Sequence, residues 1–96
     1  MRKSNEQSIG EVIKDFLKTN HLEEKFDEAS LEASWEKIMG KTIAKHTTEI
    51  KLYKRKLYIS LNSAVLRNEL NYAREKIIKN LNEEFGKNIV NEVIIK

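Results

Sequence analysis

Between Trp35 and Leu61 the hydrophobic period of the chain changes, and few arrangements accommodate that change. Leu31, Trp35, Ile38 and Met39 recur at helical spacing and stop at Gly40. After Ile43-Ala44, which predicts a short helical turn before Thr47, Ile50 and Leu52 alternate with Glu49 and Lys51. Leu57, Ile59 and Leu61 then alternate with Tyr58 and Ser60. The first pattern gathers apolar side chains on one side of a helix, the second on one face of a sheet. Lys54-Arg55-Lys56 joins the two alternating runs, so the expected unit is a helix leading into a hairpin with a three-residue cationic corner.

The remaining segments extend this unit. Ser8-Ile9-Gly10-Glu11 has capping-box form, and Ile9, Val12, Ile13, Phe16 and Leu17 follow as one apolar stripe that Asn20 can stop. Leu22, Phe26 and Ala29 mark a second helical region; Ser30 is a candidate cap for the third, and Gly40 a candidate left-handed stop. The sequence leaves open whether residues 22–39 form one helix or two. Ser63 starts the longest helix, with Leu66, Leu70, Ala73, Ile77, Leu81 and Phe85 as its stripe and Gly86 as its end. Ile89 to Ile95 predicts a last, β-branched strand beside the hairpin. The fold class is therefore α+β in the order α-α-α-β-β-α-β, with helices on one face of a three-stranded sheet. Residues 1–7 are expected to be a flexible tail, and residues 8–96 a single domain.

Composition narrows function. The chain has 96 residues, no cysteine and two histidines without metal-ligand spacing, so neither a disulfide nor a metal site is expected. No P-loop, nucleophile elbow or dinucleotide-binding glycine pattern occurs, and the carboxylates fall on polar helix faces. His46 is expected to bond a backbone group where the chain turns into the first strand. No enzyme activity, cofactor or small-molecule substrate is expected. Neither a signal peptide nor an apolar run near the ~20 residues of a membrane span is present, so a cytoplasmic location without membrane contact is the expectation.

Charge is unevenly placed. Residues 1–50 hold eight Lys/Arg against ten Asp/Glu, a net of −2, and residues 51–96 hold ten against five, a net of +5. Lys51, Lys54, Arg55 and Lys56 crowd one hairpin end, with no acid between Glu49 and Glu69, and Arg67 and Arg74 are candidate extensions. Alternation puts Lys51, Tyr53, Tyr58 and Ser60 on the open sheet face, where cations grip phosphates and aromatic rings stack on bases. Hairpin tips also carry lysines merely to stay soluble and block edge pairing. Binding is the slightly better account of this corner, with little sequence preference because no base-reading motif is present. Trp35, in register with Leu31, Ile38 and Met39, reads as a core anchor before a stacking platform.

The ordered residues Trp35-x-x-Ile38-x-Gly40-x-x-Ile43-Ala44-x-His46-Thr47 resemble the signature of the DciA-like family. Leu57-x-Ile59-x-Leu61-x-Ser63-Ala64-x-Leu66-Arg67-x-Glu69-Leu70 continues the likeness, and Ile77-x-x-x-Leu81-Asn82-x-x-Phe85-Gly86 closes it. The resemblance spans roughly residues 9–96 and implies a KH-like fold in a bacterial accessory protein of DNA replication. It implies that the partners are DNA and the DnaB-type replicative helicase, whose loading such proteins assist where ATP-dependent loaders are absent. Many members carry an extended tail after the domain, whereas this chain ends at its last strand. The G-x-x-G loop of KH domains is absent, which leaves the basic hairpin and sheet to grip nucleic acid.

Two other functions fit the residues. A KH-like RNA-binding module would stack bases on Tyr53 or Tyr58. A pure protein-interaction domain would dock a basic partner on the acidic group Glu23, Glu24, Asp27 and Glu28.

Overall fold

The computed structural model describes residues 8–96; the expected tail, residues 1–7, lies outside the described residues. Three helices, α1 (Ile9–Thr19), α2 (Glu23–Met39) and α3 (Lys41–His46), precede the hairpin strands β1 (Thr47–Tyr53) and β2 (Lys56–Leu61). Helices α4 (Ala64–Tyr72) and α5 (Arg74–Phe85) then lead to β3 (Glu92–Ile95). The strands form one sheet in the order β1-β2-β3, antiparallel between β1 and β2 and parallel between β2 and β3. The α+β order expected from the sequence holds, with the helical crossover between β2 and β3 broken once.

Local chemistry explains most boundaries. Ser8 and Glu11 form the expected capping box at α1. At the other end of α1 the chain closes a Schellman turn with His21 at φ 56°, and Leu22 N–H donates to the Leu17 carbonyl at 2.8 Å. Ser63 Oγ accepts from Leu66 N–H to start α4, and Gly86 ends α5 in the left-handed region.

Several expectations are corrected. Residues Glu23–Met39 form one helix, so Ser30 caps nothing and the third helix is the short Lys41–His46 segment. Gly40 has φ 93° and ψ 163°, a positive-φ extended conformation that only glycine adopts readily, rather than the left-handed helical one. The long helix breaks at Ala73 (φ −106°, ψ 15°), although its stripe still reaches the core on both sides of the break. The last strand begins at Glu92, since Ile89 and Val90 are buried in the preceding loop.

The core lies between the helices and one sheet face. Leu52, Leu57, Ile59, Leu61 and Val93 from the sheet meet Leu31 and Trp35 of α2, Leu70 of α4, and Ile77 and Leu81 of α5. Trp35 is 3% exposed, which settles its role as a core anchor. Its indole N–H donates to Thr47 Oγ1 at 2.9 Å, and that hydroxyl donates to the Ile43 carbonyl at 2.6 Å. One threonine thereby satisfies a buried donor and ties α2, α3 and β1 together. Asn82 does similar work at the other end. Its amide donates to the Val90 carbonyl, and its Oδ1 accepts from both Ile89 and Val90 N–H, which pins the loop before β3.

Replacing Thr47 with valine keeps the shape but leaves the Trp35 indole and the Ile43 carbonyl without this partner. The expected loss is about 2 kcal/mol. Thr48→Val, at a hydroxyl whose 3.3 Å bond to Ser60 is exposed, should cost under ~0.5 kcal/mol. Urea denaturation of the two variants checks the contrast.

Candidate nucleic-acid interface at the hairpin corner

The corner is tighter than the sequence suggests. Tyr53 pairs directly with Lys56, which leaves only Lys54 and Arg55 as the turn. Both have positive φ, 50° and 64°, as a two-residue hairpin of the right twist demands. Asparagine and glycine take that conformation readily; Lys and Arg pay for their Cβ there. Tertiary contacts hold the turn from both sides. Lys54 N–H donates to the Glu24 carboxylate of α2, and the Arg55 carbonyl accepts from Asn91 N–H at 2.7 Å.

The predicted open face is present. Register places Lys51 opposite Tyr58 and Tyr58 opposite Ile94, with Tyr53, Lys56 and Glu92 as the next row. Tyr53 and Tyr58 thus stand diagonally across neighbouring strands on one face. Tyr53 is 56% exposed and carries Lys54 Nζ 5.3 Å from its ring centroid. Tyr58 is half-buried, with Lys96 Nζ 5.6 Å from its centroid. Each ring is therefore paired with an ammonium group, within the range of cation–π attraction.

Two predicted residues lie elsewhere. The Arg67 guanidinium donates to the Leu61 carbonyl at 2.7 Å, at the end of β2 opposite the corner. Arg74 opens α5 in the helical layer, roughly 17 Å of helix back from the end that approaches the corner. Lys96 was missed. Extending the alternation of Glu92 and Ile94 by two residues would have found it, since Lys96 continues the β3 pairing through bonds to Ile59 and Leu61.

The acidic group of α2 faces inward to the same corner. Glu24 and Glu28 accept backbone N–H groups of Lys54 and Leu52, the latter at 2.7 Å. Asp27, 15% exposed at its side chain, pairs with Lys87 at 3.0 Å. Three acids of the negative first half thus meet the positive second half beside the corner. His46 also departs from expectation: its Nδ1 lies 2.8 Å from the side-chain Oδ1 of Asn62, while the Asn62 N–H donates to the His46 carbonyl.

Among the described residues no helix is long and apolar enough to cross a membrane, and no three His, Asp or Glu side chains gather as a metal site. The chain matches the family described as Dna[CI] antecedent, DciA, over residues 8–95. No curated protein and no solved structure shows a significant match to it.

Exchanging Lys54-Arg55 for Asn-Gly should relieve the turn and raise stability by about 1–2 kcal/mol. The check is a higher denaturation midpoint in urea with an unchanged slope.

Proposed function

The chain belongs to the DciA family of helicase-loader-type replication proteins, and on that footing we propose that it binds nucleic acid at the hairpin corner and contacts the DnaB-type replicative helicase, assisting its loading. The observation that carries the first half is the turn itself. Two long cations occupy backbone positions where they are strained and where Asn-Gly would be relaxed. Solubility needs lysines near a tip but not at its two positive-φ positions.

The geometry supports a grip on phosphate and base stacks without base reading. Lys51, Lys54, Arg55 and Lys56 supply charge, and Tyr53 and Tyr58 supply exposed or half-exposed rings on the adjoining face. Arg67 and Arg74 stand apart from this cluster and join it only if the nucleic acid passes around the domain. Nothing in the corner reads base edges, so affinity should depend on salt far more than on sequence.

The rival reading through the acidic group loses support. Three of its four members, Glu24, Asp27 and Glu28, already serve backbone donors or Lys87. An RNA-binding module stays a separate outcome of the same titration.

The test is fluorescence anisotropy of labelled single-stranded DNA and RNA of one sequence over a salt series. Wild type is compared with a Lys54→Gln, Arg55→Gln, Lys56→Gln variant. If all three cations contact phosphate, the slope of log affinity against log salt should shrink by about 2, at ~0.7 per contact. Unchanged affinity in the variant would remove the corner from the function. A parallel titration with the replicative helicase of the same cell should show association in the micromolar range. Tight RNA binding without helicase association would favour the RNA module.

A further inference from the structure

The clamp between α2 and β1 is incomplete, and the gap has the form of a binding site. Along a helix, residues four apart advance about 6 Å, close to the ~6.8 Å that separates alternate residues of a strand. The row Glu24, Glu28, Glu32, Glu36 therefore keeps pace with Lys54, Leu52, Ile50, Thr48. Its first two members close on backbone donors of the turn and of β1. Its last two do not.

Backbone direction fixes what is left open. Tyr53 and Lys56 close the two-residue turn as a hydrogen-bonded pair, so Leu52 and Ile50 turn their N–H and C=O groups away from β2. Glu28 meets the Leu52 donor. At Ile50 helix and strand part, leaving a groove of about 360 Å3 walled by Glu32, Glu36, Glu49, Thr48 and Ile50, with Trp35 among its lining. Among the described residues the carboxylates of Glu32, Glu36 and Glu49 have neither an ion-pair nor a hydrogen-bond partner. No lysine or arginine lines the groove.

We propose that this part of the β1 edge is a docking site for an extended, lysine- or arginine-bearing peptide segment of a partner protein. The segment adds to the sheet through the Ile50 N–H and C=O and sets its cations among Glu32, Glu36 and Glu49. Main-chain pairing supplies affinity and the flanking side chains supply selectivity, as in other strand additions. Charge excludes the competing occupants. Phosphates meet three carboxylates, and a second copy of β1 brings its own Glu49 against this one. The β3 edge of a second copy brings Glu92. The site lies on the strand edge rather than the corner, so it stands whether or not the corner binds nucleic acid.

The test uses the 15N-labelled full chain and two capped pentapeptides, one alternating lysine with valine and one alternating glutamate with valine. With the lysine peptide, amide shifts should concentrate at Thr48–Leu52, and exchange of the Ile50 N–H should slow by about tenfold at saturation. The glutamate peptide should do neither. Glu32→Gln with Glu36→Gln should weaken binding about four- to ninefold, at roughly two- to threefold for each exposed charge pair. Lys54→Gln should leave it unchanged. Three results would each overturn the proposal: no shift at millimolar lysine peptide, equal binding of both peptides, or an affinity indifferent to the glutamate changes. Any of them would return these glutamates to the role of a solvated guard against edge pairing.

Discussion

The seating of α2 along β1 is the constraint on which the rest of this structure depends. At one end Trp35 is buried and bonded to Thr47, which in turn holds the Ile43 carbonyl. At the other end Glu24 and Glu28 hold the backbone of the turn and of Leu52. A helix fixed at both ends cannot slide or roll, and the edge strand beside it inherits that rigidity. Full burial of an aromatic side chain this large is worth several kcal/mol. The carboxylate bonds, partly in water, add less energy but fix the register of helix against strand.

From this clamp follow the two features of functional interest. A turn with Lys54 and Arg55 at positive φ is an expensive conformation, held by Glu24 on one side and by Asn91 on the other. With the turn so held, Lys54 and Arg55 are exposed beside the tyrosine-bearing face. The acidic residues of α2 are thereby part of the basic site's support. They also reduce its net potential, which suits weak, reversible binding better than a permanent grip. Farther along β1 the clamp opens, and the row of glutamates continues along a groove at the outer edge of the strand.

A third feature stands outside the clamp. Helix α1 has a clear apolar stripe, yet none of its residues is buried, and Ile9 and Phe16 are 78% and 58% exposed. Its periodicity is as legible as that of α5, whose Ile77 and Leu81 lie in the core. Periodicity states which side of a helix prefers to leave water. It does not state whether another element is there to receive it.

Much of this protein was determined by the sequence alone. The period change at Gly40, the Ser8 and Ser63 caps and the Gly86 stop placed most of the elements, because capping and alternation are local physics acting over a few residues. The open-face residues Lys51, Tyr53 and Tyr58 followed from the same alternation. The family resemblance rested on residues such as Trp35, Thr47 and Asn82, whose bonds the structure then supplied. Only the tertiary structure decided that Lys54-Arg55 forms a strained two-residue turn, because its stabilising partners come from α2 and from the loop before β3. Only it sent Arg67 to a backbone carbonyl at the far end of β2 and turned Glu24 and Glu28 inward. The inward turn of the two glutamates depends on residues that meet across gaps of 24 and 30 positions, and no local pattern of charge or hydrophobicity encodes that meeting.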